Sequence, residues 1–357
     1  MVSFFKLSLL IVILIYQSMQ LKTNYSLKNH NTFGVESFSK YFAEVNNLED
    51  LTSILKLDEI KGLPILFLGG GSNILLTKDF NGLTILLNLK GIKEQHLNYD
   101  EVLLTAQAGE NWHQFVQYSL EKNYGGLENL SLIPGNVGTC PIQNIGAYGV
   151  EIKDHFESCQ VLNLETLEVE TFNKEKCNFG YRDSFFKQEG KGKYVILEVS
   201  FRLTKRNHFI RTDYGAIQQE LSSLNVTQPS IQEVAQAVIN IRTSKLPNPK
   251  ELGNAGSFFK NPSVSTEDYQ NLQKQFPNLP GYPQGNQTKV PAGWLIEQTG
   301  WKGKQIGNVA THHLQALVII NATGNATGEE IYHFSSEIIT SVKNTFGITL
   351  EREVNII

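Results

Sequence analysis

The chain has 357 residues, with 31 basic and 35 acidic side chains and a formal net charge of −4. That length can bury two or three cores, and the 41% hydrophobic and 18% charged content is that of an ordinary folded protein. The mild acidity (pI about 6.1) and the lack of a basic stripe exclude a nucleic-acid scaffold.

Residues 4–16, FFKLSLLIVILIY, form the first feature in chain order. They are short for a membrane span but long enough for the apolar part of an export signal, and no small-residue cleavage site follows. Two readings stand side by side. In one, translation starts at Met19 and residues 1–18 lie outside the mature fold. In the other they are an anchor or signal. The cysteines Cys140, Cys159 and Cys177 form no CxxC pair and no zinc pattern, which suits free thiols in a reducing compartment.

After Met19, Pro64–Leu68 reads as a buried strand running into Gly69-Gly70-Gly71-Ser72-Asn73. Strands follow at 83–89 and 101–107. A helix starts near Asn111, with Trp112, Phe115, Val116 and Leu120 on its apolar face. From Asn129 to Val150 the chain then runs for 22 residues without a charge. Strands are expected at 161–172 and 194–203, the second with Val195, Leu197, Val199, Phe201 and Leu203 sharing one face. Ser230 to Glu233 is a capping box opening a helix. Residues 247–291 read as turn-rich. A strand at 317–320 and a helix capped by Thr327 and ended by Gly347 come next. Residues 348–357 read as a strand with Glu351 and Glu353 on its open face.

The uncharged segment contains Pro134, Gly135, Val137, Gly138 and Gly146. Its prolines and amides exclude a membrane helix, and its lack of charge makes it a poor surface loop. Glycine is favoured where backbone approaches a ligand closely. GGGSN after a strand is a second phosphate-cradle candidate, although it matches neither the Rossmann spacing nor a P-loop. Together the two segments suggest one extended dinucleotide held by backbone donors. Arg182, in GYRDS, suits a carboxylate or phosphate, or else a surface pair with Asp183. Ser257, between Gly256 and two phenylalanines, reads as a serine in a dry setting or as a turn residue. Arg242 and Lys245 fit the end of a helix dipole. His312-His313 reads as structural, because adjacent side chains diverge and cannot share a metal. No metal site is expected.

NTFG (31–34), GGGSN (69–73), AGENWH (108–113), GLENLSLIPGNVGTCPIQNIGAYGVE (126–151), FGYRDSFFK (179–187), KLPNPK (245–250), GNAGSFFKNP (253–262), AGWLIEQ (292–298) and LEREV (350–354) resemble, in order, the MurB family of UDP-N-acetylenolpyruvoylglucosamine reductases. The resemblance covers essentially everything from Met19 onward. Tyr214 resembles the substrate-capping tyrosine of the class I form. The resemblance implies an α+β fold: two FAD-binding subdomains of the vanillyl-alcohol oxidase superfamily and an α/β substrate domain. The limits implied are 19–89 and 90–246 for the FAD subdomains and 247–347 for the substrate domain. A C-terminal strand at 348–357 then carries Glu353.

The same resemblance implies that NADPH reduces FAD, and that hydride then passes from flavin N5 to C3 of UDP-N-acetylglucosamine enolpyruvate. It casts Ser257 as the proton donor to C2, Arg182 as the residue facing the enolpyruvyl carboxylate, and Glu353 as a carboxylate of the same constellation. Tyr214, Lys245, Asn261, Tyr282 and Gln315 fall at positions used for the UDP-sugar. The uncharged segment becomes a wall for the FAD pyrophosphate and flavin, with Cys140 a packing residue. No histidine lies in either glycine-rich segment, so FAD is expected to be non-covalent. A cytoplasmic monomer is expected, acting on a small molecule, with no nucleic-acid partner and, if translation starts at Met19, no stable membrane association. Two alternatives remain at this point: an oxidase of the same fold, and an anchored flavin- or nucleotide-binding protein without turnover.

Overall fold

The computed structural model describes residues 21–357, so the apolar leader and the Met19 reading lie outside the described residues. Among those described, no helix is long and apolar enough to cross a membrane. The chain divides into two compact units. The first takes in residues up to Ser26, Phe38–Gly70 and Asp79–Ile241, and the second takes in Leu27–Ser37, Gly71–Lys78 and Arg242–Ile357.

The first unit holds two larger sheets and the small hairpin Gly146–Ala147 with Val150–Glu151. In one, Lys22–Ser26 pairs antiparallel with Phe38–Val45, which runs parallel to Phe80–Leu87, itself parallel to Ile65–Leu68. The expected buried strand at 64–68 is only half-buried, since Leu68 alone is fully enclosed. The helix Leu48–Leu55 is opened by Asn47, whose side chain accepts from the Asp50 amide at 2.8 Å. It buries Leu51 and Ile54 against Ala43, Leu83 and Ile85.

The other sheet is antiparallel throughout, in the order Val169–Asn173, Phe156–Asn163, Tyr194–Thr204, Glu101–Gln107, Ile92–His96. The helix Trp112–Glu121 covers it with the stripe expected, and the Trp112 indole donates to the Leu130 carbonyl at 2.9 Å. The single strand expected at 161–172 is a hairpin instead. Asn163 turns it, its side-chain oxygen accepting from the amides of Glu165 and Thr166. The alternation in Tyr194–Thr204 also breaks. Val161 pairs with Ile196 and Gln160 with Glu198, so Leu197 is an extra residue in the ladder. That bulge exchanges the two faces. Val195 and Leu197 enter the core behind the first sheet, whereas Val199, Phe201 and Leu203 enter the core under Trp112. The helices Gly215–Ser223 and Ile231–Lys245 pack through Ile217, Leu221, Val234 and Val238.

In the second unit an antiparallel sheet runs in the order Asn254–Ser257, Val318–Asn321, Val309–Thr311, Gln305–Ile306. Its core joins Phe258, Phe259 and Ile319 to Leu295 and to Ile331, Phe334, Ile338 and Val342 of the helix Gly328–Phe346. Thr327 and Glu330 form the capping box of that helix, and Gly347 ends it at φ 71°. The stretch read as turn-rich also holds the helix Thr266–Gln275 and a three-stranded sheet, Ser263–Ser265, Gln287–Lys289, Tyr282–Gln284. Its strands are too short and polar to show a period. The expected strand at 348–357 shrinks to Asn355–Ile356, because its parallel partner is only Ile74–Leu75. Ile348, Leu350 and Val354 are buried, but Ile356 is exposed.

Candidate active site

In the first unit the two glycine-rich segments meet. A Cβ added at Gly69 would stand 2.9 Å from Thr139 Cγ2, and one at Gly70 would stand 3.0 Å from Gly135 Cα. Any side chain at these positions would push the segments apart. The turn Val137–Thr139 beneath them is fixed to residues 108–112. Val137 N donates to Glu110 O (2.8 Å), Gly138 N to Ala108 O (2.9 Å) and Trp112 N to Gly135 O (3.0 Å). The amides of Val137 and Gly138 are therefore committed within the fold, and both residues are buried. They shape the cradle wall from behind. The accessible rim is Gly70 and Pro134, with Gly69 and Gly135 partly open beside them. Within this segment Ser131 Oγ is fully buried and meets no hydrogen-bond partner among the described residues. A close-packed glycine rim, no charge and an orphan hydroxyl fit a dinucleotide held by neutral donors. Cys140 is buried, and burial pushes its thiol well above the usual range, so it stays protonated as a packing residue.

Arg182 sits at φ 54° in the turn after Gly180 and donates from Nη2 to the Gly146 carbonyl at 2.8 Å. Its neighbour Asp183 is occupied elsewhere, accepting from Gln188 Nε2 at 2.9 and 3.0 Å. The guanidinium is thus aimed at the glycine-rich turn rather than at Asp183. Asn144, fully buried, braces this turn: its amide donates to Gly180 O and to Glu151 Oε2, each at 2.9 Å. In the sequence, Asn129, Asn136, Gln143 and Asn144 count against a membrane helix without naming their partners. Uncharged amides inside a charge-free run were the available signal that backbone there needs internal partners. Tyr214 is 52% exposed, precedes the helix Gly215–Ser223, and meets the Tyr148 ring edge-to-face at 5.3 Å.

In the second unit Ser257 ends the strand Asn254–Ser257. A register shift lies between Asn254 and Ser257, with Gly256 at φ 69°, which re-aims the serine. Phe258 and Phe259 are buried, yet Ser257 itself is exposed. The dry setting expected for it is absent: the bulge turns the hydroxyl away from the aromatic core. Across from it runs the 351–353 segment. Glu353 N donates to Phe258 O (2.8 Å) and Lys260 N to Glu351 O (2.9 Å), around the bridge Phe259–Arg352. Ser257 therefore lies one residue from the rung that holds Glu353. Asn73 of the glycine loop joins them, donating from Nδ2 to Glu353 O at 3.3 Å, while its own carbonyl accepts from the Asn355 amide at 3.1 Å. In the same unit Gly71, at φ 60°, packs its backbone against His30, and Ser72 is partly open.

Lys245 ends its helix exposed, and Tyr282 is 62% exposed. Asn261 and Gln315 converge on the helix Ala292–Gln298. Asn261 Oδ1 accepts from the Ala292 amide at 2.9 Å, and Gln315 Oε1 lies 3.3 Å from the Cβ position of Gly293. His312 is buried and His313 exposed, and burial holds His312 below the usual histidine range. No metal-holding cluster occurs among the described residues. A groove of about 870 Å³ lined by Tyr332, His333, Glu351 and Arg352 contains neither Ser257 nor Glu353.

The FAD binding domain model matches residues 39–171, and the UDP-N-acetylenolpyruvoylglucosamine reductase C-terminal domain model matches 248–357. The UDP-N-acetylenolpyruvoylglucosamine reductase of Flavobacterium johnsoniae is 53% identical over 340 residues, covering 95% of this chain and 100% of that one. The protein of the same name from Amoebophilus asiaticus is 47% identical over the same shares. The crystal structure of the Thermus caldophilus reductase is 22% identical and superposes with a TM-score of 0.65, over 95% of this chain and 99% of that one, which shows a shared fold. The α+β architecture, the FAD-domain match and this end-to-end identity place the chain in the UDP-N-acetylenolpyruvoylglucosamine reductase (MurB) family.

Proposed function

We infer that this chain catalyses the NADPH-dependent, FAD-mediated reduction of UDP-N-acetylglucosamine enolpyruvate to UDP-N-acetylmuramate, a step of peptidoglycan precursor synthesis. The observation that carries the chemistry is the short ladder that sets Ser257 beside Glu353. Gly69, Gly70, Pro134 and Gly135 form the rim that holds FAD, Val137 and Gly138 back it, and Gly71, Ser72, Asn73 and Gly146 complete the set. FAD, when bound there, would supply the hydride chemistry, with NADPH the source of the hydride equivalent that C3 of the enolpyruvyl group takes up. The remaining work belongs to side chains. Arg182 stabilises the negative charge that develops at C2 and its carboxylate, an interaction stronger in the transition state than in the ground state. Ser257 Oγ gives its proton to C2. A serine is a weak acid, but a C2 carbanion is a far stronger base, so the transfer runs downhill. Glu353 completes the polar face next to the serine. Lys245 supplies a cation for the diphosphate, and Tyr214, Asn261, Tyr282 and Gln315 contact the UDP-sugar.

The domain limits follow the same reading: FAD subdomains at 19–89 and 90–246, a substrate domain at 247–347 and a closing strand at 348–357. The chain acts as a cytoplasmic monomer of the class I form, with non-covalent FAD and no nucleic-acid partner.

The test uses Ser257→Ala. Ser257 is exposed, so its removal leaves folding intact. NADPH bleaches the flavin absorbance of this variant at the normal rate. Recovery on adding the enolpyruvyl substrate slows by about 10²–10⁴-fold, the usual worth of a positioned acid. Recovery at the parent rate would remove Ser257 from the mechanism.

A further inference from the structure

Arg182 holds a backbone conformation that its residue type disfavours, at φ 54°. Such strain persists only where the surroundings over-determine it. Two parts of the residue need holding. One is the main chain, in the turn 180–183, and the other is the guanidinium, which donates from Nη2 to Gly146 O at 2.8 Å. Both lead to Asn144. The turn closes on itself, Gly180 N donating to Asp183 O at 3.0 Å, and Asn144 Nδ2 ties it from outside, at 2.9 Å to Gly180 O. The second N–H of the same amide donates to Glu151 Oε2 at 2.9 Å. Glu151 in turn pairs with Gly146 across the small hairpin. A Cβ added at Gly146 would stand 2.8 Å from Glu151 Cγ and 3.3 Å from Arg182 Nη1, so the glutamate stem, the glycine and the guanidinium are packed together.

Asn144 Oδ1 accepts from Lys153 N at 3.2 Å, so both ends of the amide are engaged. The residue is fully buried and itself sits at φ 44°. Asparagine tolerates that conformation and carries two donors and an acceptor on a short stem. Aspartate would lack the donors, and glycine would lack the whole amide.

We propose that Asn144 is a positioning residue for the reaction, holding the Arg182 main chain with one N–H and the anchor of its guanidinium with the other. This rests on the reading of Arg182 as the residue that stabilises charge on the enolpyruvyl carboxylate. A guanidinium displaced by about 1 Å loses much of that stabilisation. The amide therefore acts on the step that consumes the enolpyruvyl substrate and not on reduction of the flavin by NADPH.

The experiment uses the full chain loaded with FAD and the variants Asn144→Gly, Glu151→Ala and Arg182→Ala. Asn144→Gly keeps the left-handed backbone and removes the amide. NADPH bleaches its flavin absorbance at the parent rate, while recovery on adding UDP-N-acetylglucosamine enolpyruvate slows by about 10²-fold, the scale of a misplacement of about 1 Å. In the Arg182→Ala background, Asn144→Gly slows recovery no further, whereas a merely structural defect would add its own loss. Amide hydrogen exchange across 180–184 quickens in Asn144→Gly with neither NADPH nor substrate present, so the tie is read apart from turnover. Glu151→Ala removes one of the two anchors and slows recovery by about ten-fold, the worth of one hydrogen bond to a charged group, and it carries the test if Asn144→Gly fails to retain FAD. If Arg182→Ala slows recovery but neither Asn144→Gly nor Glu151→Ala does, or if bleaching and recovery slow alike in them, the proposal alone is overturned. If Arg182→Ala recovers at the parent rate, the reading of Arg182 falls, and the positioning role falls with it.

Discussion

Gly138 offers a steric test of the cradle with a magnitude set by distance. Its φ is not positive, so alanine meets no backbone penalty, and the loss of unfolded-chain freedom would stabilise by about 0.4–1 kcal/mol. Space decides otherwise. The new methyl carbon would lie 2.4 Å from Ala108 Cβ and 2.9 Å from Ala108 Cα, where carbon atoms normally sit about 3.5–4.0 Å apart. Ala108 is 2% exposed and accepts the Gly138 amide at 2.9 Å, so neither partner can swing away. Overpacking of this kind costs about 1–3 kcal/mol, which leaves Gly138→Ala destabilised by about 1–2 kcal/mol.

The shift also moves Thr139 beneath Gly69, so FAD binding weakens by about ten-fold, or about 1.4 kcal/mol. Ala108→Gly removes the closest atom but leaves Cα and O at 2.9 and 3.1 Å, so the double variant regains only part of the loss. Urea unfolding of the FAD-free chain and FAD titration by fluorescence quenching read the two effects separately. Parent-like values for Gly138→Ala in both assays would refute the packing argument.

Two further outcomes are expected. Burial and then the hydrogen bond to Glu94 push the Tyr124 hydroxyl up to about 12, against an ordinary phenol value of about 10. Because the folded value is raised, its contribution is complete below about pH 10 and is lost as pH climbs through about 12. Urea midpoints of parent and Tyr124→Phe should therefore converge over that window, and a gap that stays constant would contradict the linkage. Asn321 is 2% exposed, donates to Phe33 O at 3.0 Å and accepts from Ala326 N at 2.9 Å. Asn321→Ala strands both partners and should cost about 2–3 kcal/mol in urea unfolding, while the exposed Asn286→Ala costs under about 0.5. Equal losses at the two sites would count against the assignment.

Local chemistry was readable from the chain, and non-local partners were not. The capping boxes at Ser230–Glu233 and Thr327–Glu330 and the stripe from Trp112 to Leu120 use residues three or four apart, so sequence alone reveals them. The face exchange at Leu197 depends on which residue of a partner strand it skips. The committed amides of Val137 and Gly138 depend on residues 108–110. The glycine-rich segments, Arg182 and Ser257 stand out by residue type, whereas their roles in the reaction came from motif resemblance. Their supports, Asn144 under the Arg182 turn and Asn73 on Glu353, are visible only in three dimensions.

The pairing of Asn355–Ile356 with Ile74–Leu75 bears on how the molecule is made. Thr77 completes that pairing by donating both its amide and its hydroxyl to the Ile357 carbonyl, at 3.0 and 2.8 Å. During synthesis Thr77 emerges 280 residues before its partner Ile357. The first unit, finished by Ile241, can collapse on the ribosome, but the second cannot close this pairing or seat Asn73 on Glu353 until residues 353–357 have emerged. Gly69 and Gly70 are thus set with the first unit, and Gly71, Ser72 and Asn73 with the second. A nascent chain would acquire the tie from Asn73 to Glu353 as a late folding event.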